Sequence, residues 1–228
     1  MKISLLVGVA AAAMILAAPL ASSADLAAPA GHGYKPYVSL FGGASILTKN
    51  PNATLTTPFS ASADALMNNP GYIIGGAVGI DWGNQVRTEL ELSHARWTSD
   101  TARVYISGTT FDTPAQSDVS ATYLLGNAWL DLTQGSKLTP YIGGGLGIGW
   151  ANVNAATDTP FVTHFNASGL AFQLGAGVRF DVSDNVSIDA GYRFKDIVGL
   201  NYSSDTPMAL TDTSLASHNF QVGLTLKF

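Results

Sequence analysis

Residues 169–195 read GLAFQLGAGVRFDVSDNVSIDAGYRFK, and the order of apolar and polar side chains in this stretch decides the fold. Leu170, Phe172, Leu174, Ala176, Val178 and Phe180 take every second position, with Gln173, Gly175, Gly177, Arg179 and Asp181 between them. Beyond the short polar run Val182–Asn185, Ile188, Ala190, Tyr192 and Phe194 alternate with Asp189, Gly191, Arg193 and Lys195. Successive side chains of a strand leave on opposite faces, so a period of two marks a strand with one apolar and one polar face. Two such runs joined by Ser, Asp and Asn predict an antiparallel hairpin.

The same period extends to both sides of this hairpin. It predicts strands over Tyr37–Ile46, Tyr72–Trp82, Gln85–Trp97, Val119–Leu132, Pro140–Trp150, Gly169–Asp181, Val186–Lys195 and Ser217–Phe228. The third sets Val86, Leu90 and Leu92 against Arg87, Glu89 and Glu91. The fifth sets Ile142, Leu146, Ile148 and Trp150 against Gly143, Gly145, Gly147 and Gly149. The first is the least regular, because Phe41 falls with Ser39. Gly83-Asn84, Thr133–Thr139 and Val182–Asn185 are short joints, whereas Leu47–Gly71, Thr98–Asp118, Ala151–Ser168 and Asp196–Leu215 are long.

Charged residues make up 12% of the chain, about half the share of an ordinary soluble domain. Past the N-terminal segment no apolar stretch approaches the roughly 18 residues of a membrane helix. A sheet can cross a bilayer only when closed, since open edges leave backbone groups unpaired in lipid. Each predicted strand has about the length a tilted strand needs to cross the hydrocarbon. The expected fold is therefore all-β: an eight-stranded antiparallel up-and-down transmembrane β-barrel, apolar outside, with short turns on the periplasmic rim and four long loops outside the cell. Tyr37, Trp82, Tyr141, Phe180 and Phe228 are expected in an aromatic girdle at the periplasmic interface. Tyr72, Trp97, Trp150, Phe194 and Phe220 are expected in another at the outer one.

The N-terminus reads as a secretory signal: Lys2, an apolar run from Leu5 to Ala18, Pro19, then Ser22-Ser23-Ala24 before Asp25. Residues 1–24 are the expected signal peptide, cleaved after Ala24; residues 25–36 a flexible periplasmic lead; residues 37–228 the barrel. Cleavage removes Lys2 and no acid, leaving a net charge of −6 instead of −5. The acidic balance gives nucleic acid no basic surface. The absence of cysteine excludes thiolate metal sites, disulfides and a Cys-linked lipid anchor.

On the polar parity, Asp81, Glu89, Glu91, Asp131, Asp181 and Asp189 face Arg87, Arg179, Arg193, Lys195 and Lys227. An eight-stranded barrel is narrow enough for side chains to fill. These charges are expected to pair inside it, Asp81 with Arg87, Arg179 with Asp189, and Arg193 with Glu89 or Glu91. A lone ion in that space would cost several kcal/mol. No catalytic, metal or cofactor site is expected. His32, His94, His164 and His218 do not converge, and the neighbours Ser93-His94 and Ser217-His218 point to opposite faces. The glycine run at 143–149 lacks the Lys-Ser/Thr and helix of a phosphate loop. It is expected to make room for bulky neighbours. His94 and Arg96 share the lipid-side parity at the outer rim, where they can meet lipopolysaccharide phosphates or simply reach to the interface.

The last strand, HNFQVGLTLKF at 218–228, ends in an alternation with Gln221, Gly223, Leu226 and the terminal Phe228 at the spacing of the assembly signal of outer-membrane barrels. With KPYVSLFGG at 35–43, VRTELELS at 86–93, LTPYIGGGLGIG at 138–149 and FQLGAGVRFDVSDNVSIDAGYRF at 172–194, the chain resembles the opacity-protein and OmpA-type small outer-membrane barrels, a porin-like family. The resemblance implies residence in the outer membrane of a Gram-negative bacterium. It also implies contact with its lipid and lipopolysaccharide, handling by the barrel-assembly machinery, and a non-enzymatic structural or surface-interaction role through the loops. A narrow passive porin is the alternative. No cofactor is implied, and fold alone does not fix function.

Overall fold

The computed structural model describes residues 33–49, 53–56, 60–65, 70–106, 109–133, 135–157, 162–204, 209–210 and 214–228. The expected signal peptide and most of the lead lie outside the described residues. The strands in chain order are β1 (Lys35–Lys49), β2 (Ala53–Thr56), β3 (Ser60–Ala65), β4 (Gly71–Asp81), β5 (Val86–Ile106), β6 (Thr109–Asp131), β7 (Leu138–Thr157), β8 (Val162–Asp181), β9 (Val186–Ser204), β10 (Ala209–Leu210) and β11 (Ser214–Lys227).

Eight of these strands close a ring. β1 pairs with β4, β4 with β5, and the antiparallel series runs through β6, β7, β8 and β9 to β11. β11 returns to β1 with Tyr37 opposite Lys227 and Ile46 opposite His218. The barrel end that holds the tight turns also holds Lys35 and Phe228, whose amide donates to the Pro36 carbonyl.

Parity selects the faces as expected in the half near the termini. Leu90, Leu130, Ile142, Leu146, Leu174, Val178 and Leu226 are exposed on the outside, while Arg87, Glu91, Asn127, Asp131, Gln173 and Arg193 are buried inside. Toward the far end the period persists but its sign inverts. In β6, Val119, Ala121, Tyr123 and Leu125 are buried inside, and Ser120 and Thr122 lie outside. β5 repeats this with Ala95 and Trp97 inside, His94, Arg96 and Thr98 outside. β7 does so with Ala151 inside and Asn152 outside. A wall apolar toward its axis and polar outward is built for water, not lipid.

Two expectations need correction. The connections expected as long loops are largely strand: β5 runs 21 residues and β6 23, where about 9–11 cross a bilayer. Beyond β1 and β4, the β2–β3 hairpin takes over pairing with β5, and β10 adds to β2. Thr, Ser, Ala and Asn carry no apolar alternation there, so only the backbone ladder reveals the strand. The girdles are also thinner than expected, because Tyr37, Trp97 and Tyr141 are buried in the lumen. Position along a strand placed them at the interface; parity, which decides the face, puts them inside.

Candidate functional site: the filled lumen

The interior has two storeys. The one nearer the termini is polar. Asp131 of β6 receives Arg87 of β5 through Nε at 3.1 Å and Nη2 at 3.0 Å, and Arg179 of β8 through Nη2 at 2.8 Å. One carboxylate thus sits between two guanidiniums, an arrangement suited to forked donors. At the rim Lys227 donates to Asp181 at 2.9 Å, and Arg179 Nε lies 3.7 Å from the same carboxylate.

One layer farther in, Glu89 accepts from the Tyr37 hydroxyl at 2.8 Å, the Asn127 amide at 3.0 Å and the Trp129 indole at 2.7 Å. Glu91 accepts from Ser93 at 2.7 Å, Gln173 at 2.8 Å and Asn127 at 3.0 Å, and forms an ion pair with Lys195. β5 and β9 lie across the ring from each other, so this pair spans the lumen, and both side chains are buried. Ions removed from water in this way depend wholly on one another and on fixed dipoles.

Arg193 behaves differently. Its guanidinium lies over the Trp129 ring at 3.9 Å, and Nη2 donates to the Tyr141 hydroxyl at 3.1 Å. Tyr141 in turn donates to Asp189 and packs edge-on against Trp129, with ring centroids 5.7 Å apart.

The pairings expected from the sequence therefore shift. Asp81 and Arg87 are opposite in register, but Arg87 turns to Asp131 and Asp81 accepts the Gly83 amide at 3.0 Å. Arg179 and Asp189 are likewise opposite, yet each finds another partner. Lys195, not Arg193, crosses to Glu91. The reason is geometric: long cationic side chains reach past the residue opposite them, Arg87 to the next strand on its other side and Lys195 across a lumen narrow enough for side chains to span.

Glycines make these crossings fit. A Cβ on Gly145 would fall 1.8 Å from the Asn127 amide oxygen; on Gly177, 2.4 Å from the Tyr141 hydroxyl; on Gly175, 2.6 Å from Arg193 Cδ. The glycines of β7 and β8 thus form a trough for bulky side chains of β6, β7 and β9.

The second storey is apolar. Leu47, Ile73, Trp97, Val119, Tyr123, Leu125, Ile197 and Leu215 form one cluster across the barrel. The Trp97 indole is satisfied by Ser45 Oγ at 3.1 Å, and Ser45 donates to Asn219 at 2.6 Å. No charge pattern announces this storey. The sign inversion in β5, β6 and β7 is the signal that finds it.

Between the polar residues on the β1–β11 side a cavity of about 30 Å³ remains, room for one or two waters. Glu89 and Glu91 are ringed by fixed donors, and the cavity they line has room for one or two waters. Among the described residues no three His, Cys, Asp or Glu side chains group to hold a metal ion.

On the outer surface Arg96 pairs with Asp118, and His94 shares a hydrogen bond of 2.9 Å with Thr122. In β11, Gln221 and Gly223 point inward and Leu226 outward, and Phe228, just past its end, is exposed.

Comparison with known proteins agrees with this architecture. The family model described as outer membrane protein beta-barrel domain matches residues 8–228. The outer membrane protein PagN of Salmonella typhimurium is 32% identical over 126 residues, 50% of this chain and 52% of that protein. An uncharacterized protein of Brucella abortus (strain 2308) is 27% identical over 173 residues, 67% of this chain. The match spans 60% of the length of that relative. Among solved structures, Neisserial surface protein A is similar with a TM-score of 0.50 and 18% identity over 86% of this chain and 100% of that one. OprG of Pseudomonas aeruginosa gives 0.50 and 16% over 87% and 98%. OmpT of Escherichia coli, an outer membrane protease, gives 0.51 and 8% over 87% and 99%. These structural likenesses speak for the fold alone, and a protease among them shows that the fold does not by itself separate enzymes from other barrels.

Proposed function

The chain belongs to the outer membrane protein beta-barrel domain family and is an outer-membrane barrel, and we propose that it is a closed, non-enzymatic one that holds a rigid β-walled crown outside the cell. The observation that carries this reading is the sign inversion of the wall. The far end is polar outward and packed with its own apolar core, so it stands in water as a stiff continuation of the membrane barrel rather than as loose loops. Paired strands hold their backbone groups and vary little in shape, which suits a surface that presents a contact. The crown is where a surface ligand would bind, and the exposed belt with Arg96 at its top is where lipid and lipopolysaccharide would touch. β11 would be the strand read by the assembly machinery.

The lumen supports a plug rather than a pore. The Lys195–Glu91 pair and the Trp97 cluster stand in series along the axis, and a permeating solute would have to part both. Planar-bilayer recording tests this: the purified barrel should insert with little or no steady conductance. A large, stable open channel would replace this reading with a passive porin. Protease added to intact cells should cut only at the far end, leaving the turn at Asp184-Asn185 protected until the envelope is opened; the opposite pattern would invert the topology.

A further inference from the structure

We propose that the cavity beside β1 and β11 is a built water site, in which one or two ordered waters join Arg193 to Gln221 and to the carboxylates of Glu89 and Asp189. Among the described residues, Arg87, Arg179, Lys195 and Lys227 each meet a carboxylate directly, whereas Arg193 meets two ring faces and a tyrosine hydroxyl. Its Nε and Nη1 are buried and find no protein acceptor. Glu89, on the opposite wall, is satisfied by three neutral donors and, among the described residues, has no cation within ion-pair distance. Both line the same 30 Å³ cavity, as do Asp189 and Gln221.

Gln221 supplies the second independent observation. It is 5% exposed, Arg193 is 6% exposed, and the Gln221 carbonyl oxygen finds no protein donor. The cavity is thus bordered by two orphaned donors and one orphaned acceptor, each more than nine-tenths buried. Leaving such groups unpaired in a buried site is costly. A ligand that meets both needs must accept and donate at once, and it must fit in the space of one or two waters. Water does both.

The surrounding charges argue against an ion. The cavity is lined by Glu89, Glu91 and Asp189 as well as Arg87 and Arg193, so a halide would face three carboxylates and a metal cation two guanidiniums. Water also explains why Arg193 and Glu89 do not close on each other. A solvent-separated pair in a polar pocket keeps most of its hydrogen bonding without forcing Arg193 off Trp129.

Gly223 and Ser39, which border the same cavity, keep this side of the lumen open. Bulkier residues there would fill it.

A crystal structure of the full barrel, refined where ordered water is visible and repeated after a bromide soak, tests the proposal. Water density is expected within hydrogen-bond distance of both Arg193 Nε or Nη1 and the Gln221 side-chain oxygen, with no anomalous bromide peak there. The Arg193→Lys variant, which keeps the charge but withdraws both orphaned donors, should lose or displace that water. An empty cavity, an Arg193 closed directly onto Glu89, a bromide peak, or water unmoved in Arg193→Lys would each overturn the proposal.

Discussion

The two storeys of the lumen fill the same cylinder by opposite means. Near the termini the wall faces lipid, so it is apolar outside, and the interior is left to Arg87, Asp131, Glu91 and Lys195. At the far end, which the proposed crown sets in water, the outside is polar and the interior takes Trp97, Tyr123, Leu125 and Ile197. Solvent outside therefore dictates chemistry inside, because an alternating strand has only two faces to distribute. The energetic consequence differs too. Burying apolar surface stabilises directly. A buried ion pair contributes little net stability relative to a well-packed apolar substitute, yet it is costly to break on one side only.

This contrast predicts the largest effects. Lys195→Met should strand Glu91 and Trp97→Ala should open a cavity, each lowering stability by about 3–5 kcal/mol. Only the first should be rescued from within its own storey. Adding Glu91→Gln to Lys195→Met removes the stranded charge and should restore most of the loss, whereas no single polar change repairs the Trp97 cavity. Urea titration in lipid vesicles, read by the mobility of unboiled samples on a gel, measures both. Equal rescue, or none in either storey, would erase the distinction drawn between them.

Arg193→Ala sharpens the comparison inside the polar storey. Had Arg193 been the ion crossing to Glu91, its loss would match that of Lys195. Since it rests on Trp129 and donates once to Tyr141, its removal should cost only about 2 kcal/mol, on the scale of a desolvated cation–π contact. A loss as large as that of Lys195→Met in the same titration would mean that Arg193 pairs with a carboxylate after all.

How much of this was legible in the sequence follows from where the signal lies. A charged residue cannot face hydrocarbon, so Arg87, Glu89, Glu91, Arg179 and Lys195 declare their own face, and with them the barrel. Their partners are not legible, because Lys195 and Glu91 lie 104 residues apart and their meeting depends on the width of the closed barrel. The apolar storey was hidden by assuming that one parity faces lipid along a whole strand. Ser120 and Thr122 outside against Val119, Ala121 and Tyr123 inside carry the inversion in plain view. The far wall itself, where β2 and β3 replace β1 and β4, leaves no periodic trace in sequence because Thr, Ser and Ala serve either face.

The exposed face offers a smaller test. Arg96 and Asp118 form an ion pair above the hydrocarbon belt, with side chains 48% and 28% exposed. Water and salt screen such a pair, so Arg96→Ala should cost less than about 1 kcal/mol in the same titration, and less still at high salt. A loss comparable with that of the lumen pairs would show that the outer wall at this height is not solvated, against the sign inversion.

The smallest effect should have the opposite sign, at the tight turn beneath the polar storey. β4 and β5 are joined by Trp82–Gln85, closed by the Trp82 amide donating to Val86 at 3.0 Å, with the Asn84 side chain accepting the Val86 amide at 3.3 Å. Gly83 and Gln85 both adopt positive φ, 69° and 72°. Glycine does so freely, but a glutamine Cβ crowds the adjoining carbonyl. The conformation persists because its neighbours fix it: the Gln85 carbonyl accepts the Asp131 amide at 2.7 Å, tying the turn to the strand whose carboxylate holds Arg87 and Arg179. Gln85→Gly removes the strain, worth about 1–2 kcal/mol, but it also loosens the unfolded chain by roughly 0.5–1 kcal/mol. The expected net is a gain of about 0.5 kcal/mol, with the Asp131 ion pairs intact. A loss of stability would mean that the Gln85 side chain makes a contact outweighing its backbone strain, and that this rim is held by more than its hydrogen-bonded turn.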